Sequence, residues 1–147
     1  MKSKAIIVFL ILISTLTVVS AVDLNNLNLP ENFEKVSDVN YNNKVTGEEI
    51  SLVTVTSEDL NSDLINSTQL KEMLHPTEKN NIYSFTYESN NMSGCVELIK
   101  IDENYYVVGI SIDGNANETK IQEMTDTLTK FNELNNFTAI DPTTIIN

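Results

Sequence analysis

One histidine and one cysteine, His75 and Cys95, are the first residues to test for chemistry, since together they could form an imidazole–thiolate dyad. Neither sits in a recognisable motif. His75 falls between Leu74 and Pro76 at the end of an expected helix, and Cys95 opens an expected strand, where a thiol packs as a small apolar group. A transition-metal site of His and Cys fails for the same shortage of ligands. The segment Asp113-Gly114-Asn115-Ala116-Asn117 offers oxygen ligands at the first, third and fifth positions of a calcium loop. It then departs from that pattern: glycine stands second rather than sixth, and the twelfth position is Met124 rather than Glu. Asn115 or Asn117 therefore reads as a helix cap. The adjacent acids Glu48-Glu49, Glu58-Asp59 and Asp102-Glu103 could serve a glycosidase only where two carboxylates meet across a cleft. At turns and helix starts they are expected to be solvated, and a chain without Trp makes a poor carbohydrate cleft. No catalytic residue, metal ligand or cofactor is expected. Four Asn-x-Ser/Thr sites remain as candidate N-glycosylation acceptors: Asn66, Asn91, Asn117 and Asn136, each at an expected turn or helix end.

The 147-residue chain carries 9 Lys and 21 Asp plus Glu, with no Arg, for a net charge of −12. Such a field disfavours nucleic acid and anionic lipid as partners and attracts cations or basic surfaces diffusely. Residues 1–21 read as an export signal. Lys2 and Lys4 precede nine residues, Ala5 to Ile13, without a polar side chain, and Val19-Ser20-Ala21 is a sequence that a signal peptidase accepts. An uncleaved N-terminal anchor is the alternative, with the domain outside the membrane in either case. Cleavage leaves about 126 residues, near the size of one domain, with 7 Lys against 21 acids, or −14. With Cys95 alone, no disulfide can form within the chain, so the core must hold the fold. The 20 Asn and 15 Ile beside absent Arg point to AT-rich coding rather than to a mechanism.

The elements that must position these residues follow from periodicity. Residues 22–35 form an extended lead-in with Leu24, Leu27 and Leu29 ahead of Pro30. Val36, Val39 and Tyr41 precede an Asn42-Asn43 turn, and residues 50–56 are a β-branched strand. Ser57, Glu58 and Asp59 start a helical segment carrying Leu60, Leu64 and Ile65, and a second short turn of helix runs from Gln69 to Leu74. Residues 82–88, 95–101 and 105–112 alternate apolar and polar side chains and are joined by short turns, giving an antiparallel meander. The aromatic set Tyr83, Phe85, Tyr87, Tyr105 and Tyr106 lies on it and reads as core, with Tyr105 facing away from Tyr106. Ile121, Met124, Leu128, Phe131 and Leu134 make one face of a closing helix, opposite Lys120, Glu123, Asp126 and Lys130. The expectation is an α+β domain over residues 22–137. It has a single antiparallel sheet of about five strands, packed by the C-terminal amphipathic helix and a shorter mid-chain helical segment. Residues 138–147 form a loosely ordered tail.

The signal ending Val-Ser-Ala, Leu29-Pro-Glu-Asn-Phe-Glu-Lys-Val36, Tyr105-Tyr-Val-Val108 and the Asn-rich closing helix together resemble small secreted proteins of methanogenic archaea. The resemblance covers most of the chain beyond the signal. It implies an archaeal cell surface, where exported Asn can be glycosylated, and carries over no catalytic residue. The layout is also similar to the PsbP-like sandwich, with its Pro-x-x-Phe opening (Pro30 to Phe33) before a helix-flanked sheet, a likeness of fold only. The functional expectation is an exported, non-enzymatic acidic domain that binds an envelope or extracellular partner through its surface. The alternatives are a weak divalent-cation binder or a carboxylate-dependent hydrolase.

Overall fold

The computed structural model describes residues 26–55, 74–79, 81–88 and 91–140. After Pro30, whose carbonyl accepts the Phe33 N–H at 3.2 Å, the chain turns at Asn32 into β1 (Phe33–Ser37) and returns as β2 (Asn40–Asn43). Asn43 Oδ1 then accepts the Val45 and Thr46 N–H groups at 2.8 and 3.1 Å, closing the turn that leads to β3 (Glu49–Val55). β4 (His75–Pro76), β5 (Ile82–Tyr87), β6 (Met92–Ile101) and β7 (Asn104–Asp113) follow, then helix α1 (Glu118–Leu134) and β8 (Thr138–Ala139). The strands form one wholly antiparallel sheet in the order β1-β2-β3-β7-β6-β5-β4, and β8 adds to β6.

The α+β class and the β5–β6–β7 meander are as the sequence indicates. The strand number is not: the sheet has eight strands among the described residues rather than about five. The surplus comes from pieces too short to show periodicity, β4 and β8 with two residues each, and from β1 and β2, which are separate strands. The expected mid-chain helical segment and the export signal lie outside the described residues. Where the described chain resumes, His75 is in a strand paired with Ser84 instead of at a helix end.

Turn chemistry explains part of the Asn richness. Asn32, Asn81, Asn91 and Asn136 all adopt positive φ, joined by Asp102 in the tight β6–β7 hairpin, in a chain with only four Gly. Short polar side chains tolerate this conformation by bonding locally. One glycine is required for a different reason. At Gly94 a Cβ would stand 2.0 Å from the Ile110 carbonyl oxygen, so β6 and β7 approach there as no other residue allows.

α1 begins at Asn117, whose side-chain oxygen accepts the Lys120 N–H at 2.8 Å, with Glu118 in the first turn. It ends where Phe137 N–H returns to the Asn132 carbonyl at 2.9 Å. Met124, Leu128 and Phe131 pack onto the sheet face formed by Tyr41, Ile50, Leu52, Ile82, Cys95, Ile99, Tyr106, Val108 and Ile110. Strand alternation puts Val53, Phe85, Tyr87, Val96, Leu98 and Val107 on the other face, and these are buried too. The aromatic set is therefore largely core: Phe85, Tyr87 and Tyr106 are buried, and Tyr83 and Tyr105 are half-buried. The Lys100 ammonium lies 5.5 Å from the Tyr105 ring centroid. The lead-in is tied to the end of α1, as Asn28 N–H donates to Asn135 Oδ1 at 2.7 Å and Asn135 Nδ2 donates back to the Asn28 carbonyl at 2.9 Å. Among the described residues, no helix is long and apolar enough to cross a membrane.

Candidate functional site

β6 is the strand on which a site can be built, because its two edges are treated differently. One edge pairs with β7 along its whole length. The other pairs with β5 from Met92 to Glu97, then passes to β8 at Ile99 and Lys100. The hand-over leaves a notch between Ile82, the first residue of β5, and Ala139, and the last turns of α1 pass over it. A cavity of about 520 Å³ opens there. Its polar lining is Glu97 from β6, Thr129, Asn132 and Glu133 from α1, and Lys79 from the turn before β5, with Ile82 and Phe137 as apolar wall.

Glu97 is central to this cavity. Alternation along β6 places it on the helix-facing side with Cys95 and Ile99, in the middle of the sheet. It is only 5 % exposed, and Asn132 Nδ2 donates a hydrogen bond to its Oε1. Burial pushes its carboxyl up to about 7. Asn132 is 7 % exposed, and its side-chain oxygen, like Glu48 Oε2 and Thr54 Oγ1, has no hydrogen-bond partner among the described residues. Buried polar atoms in native proteins are nearly always paired, so an unpaired buried acceptor on a residue that lines a cavity is a feature to be explained. Thr129 is self-contained, donating to the Thr125 carbonyl at 2.9 Å. A second buried acid, Glu48, lies under the other end of α1, with Lys120 Nζ 3.5 Å from its Oε1.

The residues singled out in sequence fall elsewhere. Cys95 is buried, its Sγ 3.5 Å from Thr125 Oγ1, and desolvation raises its thiol, the opposite of an activated nucleophile. His75 is exposed; Ser84 of the intervening strand pairs with both residues, which puts their backbones about 10 Å apart at ordinary strand spacing. No dyad forms. Asn117 serves as the helix cap, and among the described residues no group of three His, Cys, Asp or Glu could hold a metal. Asp102 and Glu103 are exposed at their turn, and Glu58-Asp59 lies outside the described residues. Glu48 and Glu49 part company: Glu49 is exposed as expected, whereas Glu48 is 4 % exposed because α1 brings Lys120 over it. Of the sequons, Asn66 is outside the described residues, and Asn91, Asn117 and Asn136 are all exposed. Ser93 of the Asn91 sequon is nevertheless fully buried, donating to the Gly114 carbonyl at 2.8 Å and accepting the Ala116 N–H at 2.9 Å. Asn136 stands on the rim of the cavity with Thr138 exposed beside it.

Glu97 and Asn132 were not singled out in the sequence, though a signal exists. Glu97 is the one charged residue in the run Cys-Val-Glu-Leu-Ile of a central strand, and Asn132 follows Phe131 on the inward side of the helix. Comparison with known proteins finds no match: no family model, no curated protein and no solved structure is similar to this chain.

Proposed function

We propose that this chain is an exported, non-enzymatic α+β domain that acts at the cell envelope by binding, and that the Glu97–Asn132 cavity is its binding site. One observation carries the reading: two polar side chains, each more than nine-tenths buried, line an open cavity, and one of them has an acceptor oxygen without a partner. A ligand that donates to that oxygen would complete the hydrogen bonding that the protein leaves unfinished. The N-terminal export pattern and the resemblance to secreted archaeal proteins support the location. Asn117 and Asn136 are the acceptors best placed for glycosylation, and intact-mass measurement on protein from the native host tests this. Screening a fragment library by amide chemical-shift mapping tests the binding site. Shifts should cluster at Glu97, Thr129 and Asn132; shifts confined to the outer surface would move the site away from the cavity, and an envelope partner would then have to be sought by affinity capture.

A carboxylate-dependent hydrolase is the second reading, favoured by one specific fact. Glu133 lines the same cavity as Glu97, and a carboxyl raised to about 7 can act as a general acid near neutrality. Turnover on a hydrolase panel that disappears in both Glu97→Gln and Glu133→Gln would replace the binding reading with this one. A divalent-cation role predicts a higher melting temperature in millimolar calcium, and an unchanged curve removes it.

A further inference from the structure

We infer that the ligand of this cavity carries a protonated primary amine, held between the Glu97 carboxylate and the side-chain oxygen of Asn132. This rests on the binding reading above and adds the chemistry of the ligand. The acceptors in the cavity set the demand. Among the described residues Asn132 Oδ1 has no donor, and Glu97 receives the neutral Asn132 amide, which satisfies a lone pair without compensating a charge. Glu133 adds a second carboxylate on the same wall. An ammonium group has three N–H donors and one positive charge, so it can bond both Glu97 and Asn132 while neutralising the buried carboxylate. A hydroxyl has one proton to give and no charge, so it meets half of that demand. The net charge of −12 draws small cations toward the whole surface.

The same geometry makes binding depend on pH. The groups facing Glu97 are Asn132 and Glu133 from α1 and Lys79 from the turn before β5; its cross-strand neighbours Ile82 and Val108 carry no charge. Glu97 holds a proton up to about pH 7, and an ammonium must displace it. Affinity should therefore fall as pH drops, approaching about tenfold per unit once Glu97 is fully protonated. Lys79 divides two sources of the same amine. A plain alkylamine has no use for it, whereas an amino acid or other zwitterion would place its carboxylate there.

The test uses the intact protein with three probes of similar length: n-butylammonium, 4-aminobutyrate and 1-butanol. Binding is read by titration calorimetry and by shifts of the Glu97 and Asn132 resonances, at about pH 8.5 and about pH 5.5, each roughly one and a half units from neutrality. At the higher pH at least one amine should bind about tenfold or more tighter than 1-butanol, and should lose most of that margin at the lower pH. Glu97→Gln, shown to be folded by its melting curve, should lose about tenfold or more in amine affinity at the higher pH. If Lys79→Met weakens 4-aminobutyrate alone, the ligand is zwitterionic; if it leaves both amines unchanged, it is a simple amine. Equal binding of 1-butanol and the amines at the cavity would overturn the inference and leave the binding reading standing. Amine binding that Glu97→Gln does not weaken would also overturn it, since the cation would then sit elsewhere. Should no probe and no fragment shift the cavity resonances, both readings fall.

Discussion

Glu48 and Glu97 are buried to the same degree and lie under opposite ends of the same helix, yet they are handled in contrary ways. Lys120 and Asn132, the residues that meet them, are separated by about 18 Å along α1 at the usual helical rise. At the first end the helix brings an ammonium to 3.5 Å of Glu48 Oε1, while Glu48 Oε2 has no hydrogen-bond partner among the described residues. At the second it brings a neutral amide whose own oxygen has no partner among the described residues, and stands beside a cavity instead of filling it. A buried acid with a cation from its own chain has its charge compensated, even where, as at Glu48, one oxygen lacks a donor. A buried acid with only an amide holds its proton near neutrality and keeps a use for a cation from outside.

The largest expected effect comes from breaking the uncompensated end. Glu97 titrates near 7 in the folded protein against 4.5 when unperturbed, so between these values the folded state holds a proton that the unfolded state has lost. The folded state binds more protons, and stability falls as pH rises through this window, by about 3 kcal/mol in all. Glu97→Gln should abolish that fall. Urea midpoints of the two proteins should coincide near pH 4 and diverge above pH 7, with the variant the more stable; parallel pH profiles would show that Glu97 is not desolvated as described. Next in size is Lys120→Met, which strands the Glu48 carboxylate. Lys120 is itself a quarter exposed, so the cost should be about 2 kcal/mol rather than the full cost for an enclosed pair. Chemical denaturation at pH 7 measures it, and a loss near zero would mean that water already serves Glu48. The smallest effect tests how the helix end that carries Lys120 is held. Asn117→Ala removes the side-chain acceptor of the Lys120 N–H and should cost about 1 kcal/mol, with Asn117→Asp close to neutral. If all three changes proved equal, the two ends of α1 would not differ in the way their partners imply.

Local rules carried the sequence a fair distance toward this structure. Alternation marked β5, β6 and β7, and a three-to-four spacing marked α1; Asn117 and the Asn135-Asn136 pair bounded it. Sheet order escaped, since nothing local says that β3 pairs with β7, more than fifty residues away. β8 escaped because two exposed residues have no period. The candidate site escaped for a related reason. The pattern gives the face of the sheet on which Glu97 lies, but whether that face is covered by a lysine, an asparagine or water depends on where α1 lands. The Glu48-Glu49 pair shows the same limit, because two adjacent acids look alike in sequence and only one of them meets the helix. His75 and Cys95 stood out for their rarity, which is a property of composition and not of place.

β8 has a consequence for how the protein behaves in company. At Leu98 to Lys100 it supplies the backbone partners that β5 no longer reaches: Ile99 pairs with Ala139, and Ile140 N–H donates to the Leu98 carbonyl at 2.9 Å. Without these two residues, an apolar stretch of a central strand would present open donors and acceptors, a ready template for a strand of another molecule. The short strand that walls the cavity thus also keeps neighbouring copies of the protein from joining their sheets. Any ligand route that required β8 to lift away would expose the chain to self-association each time it opened.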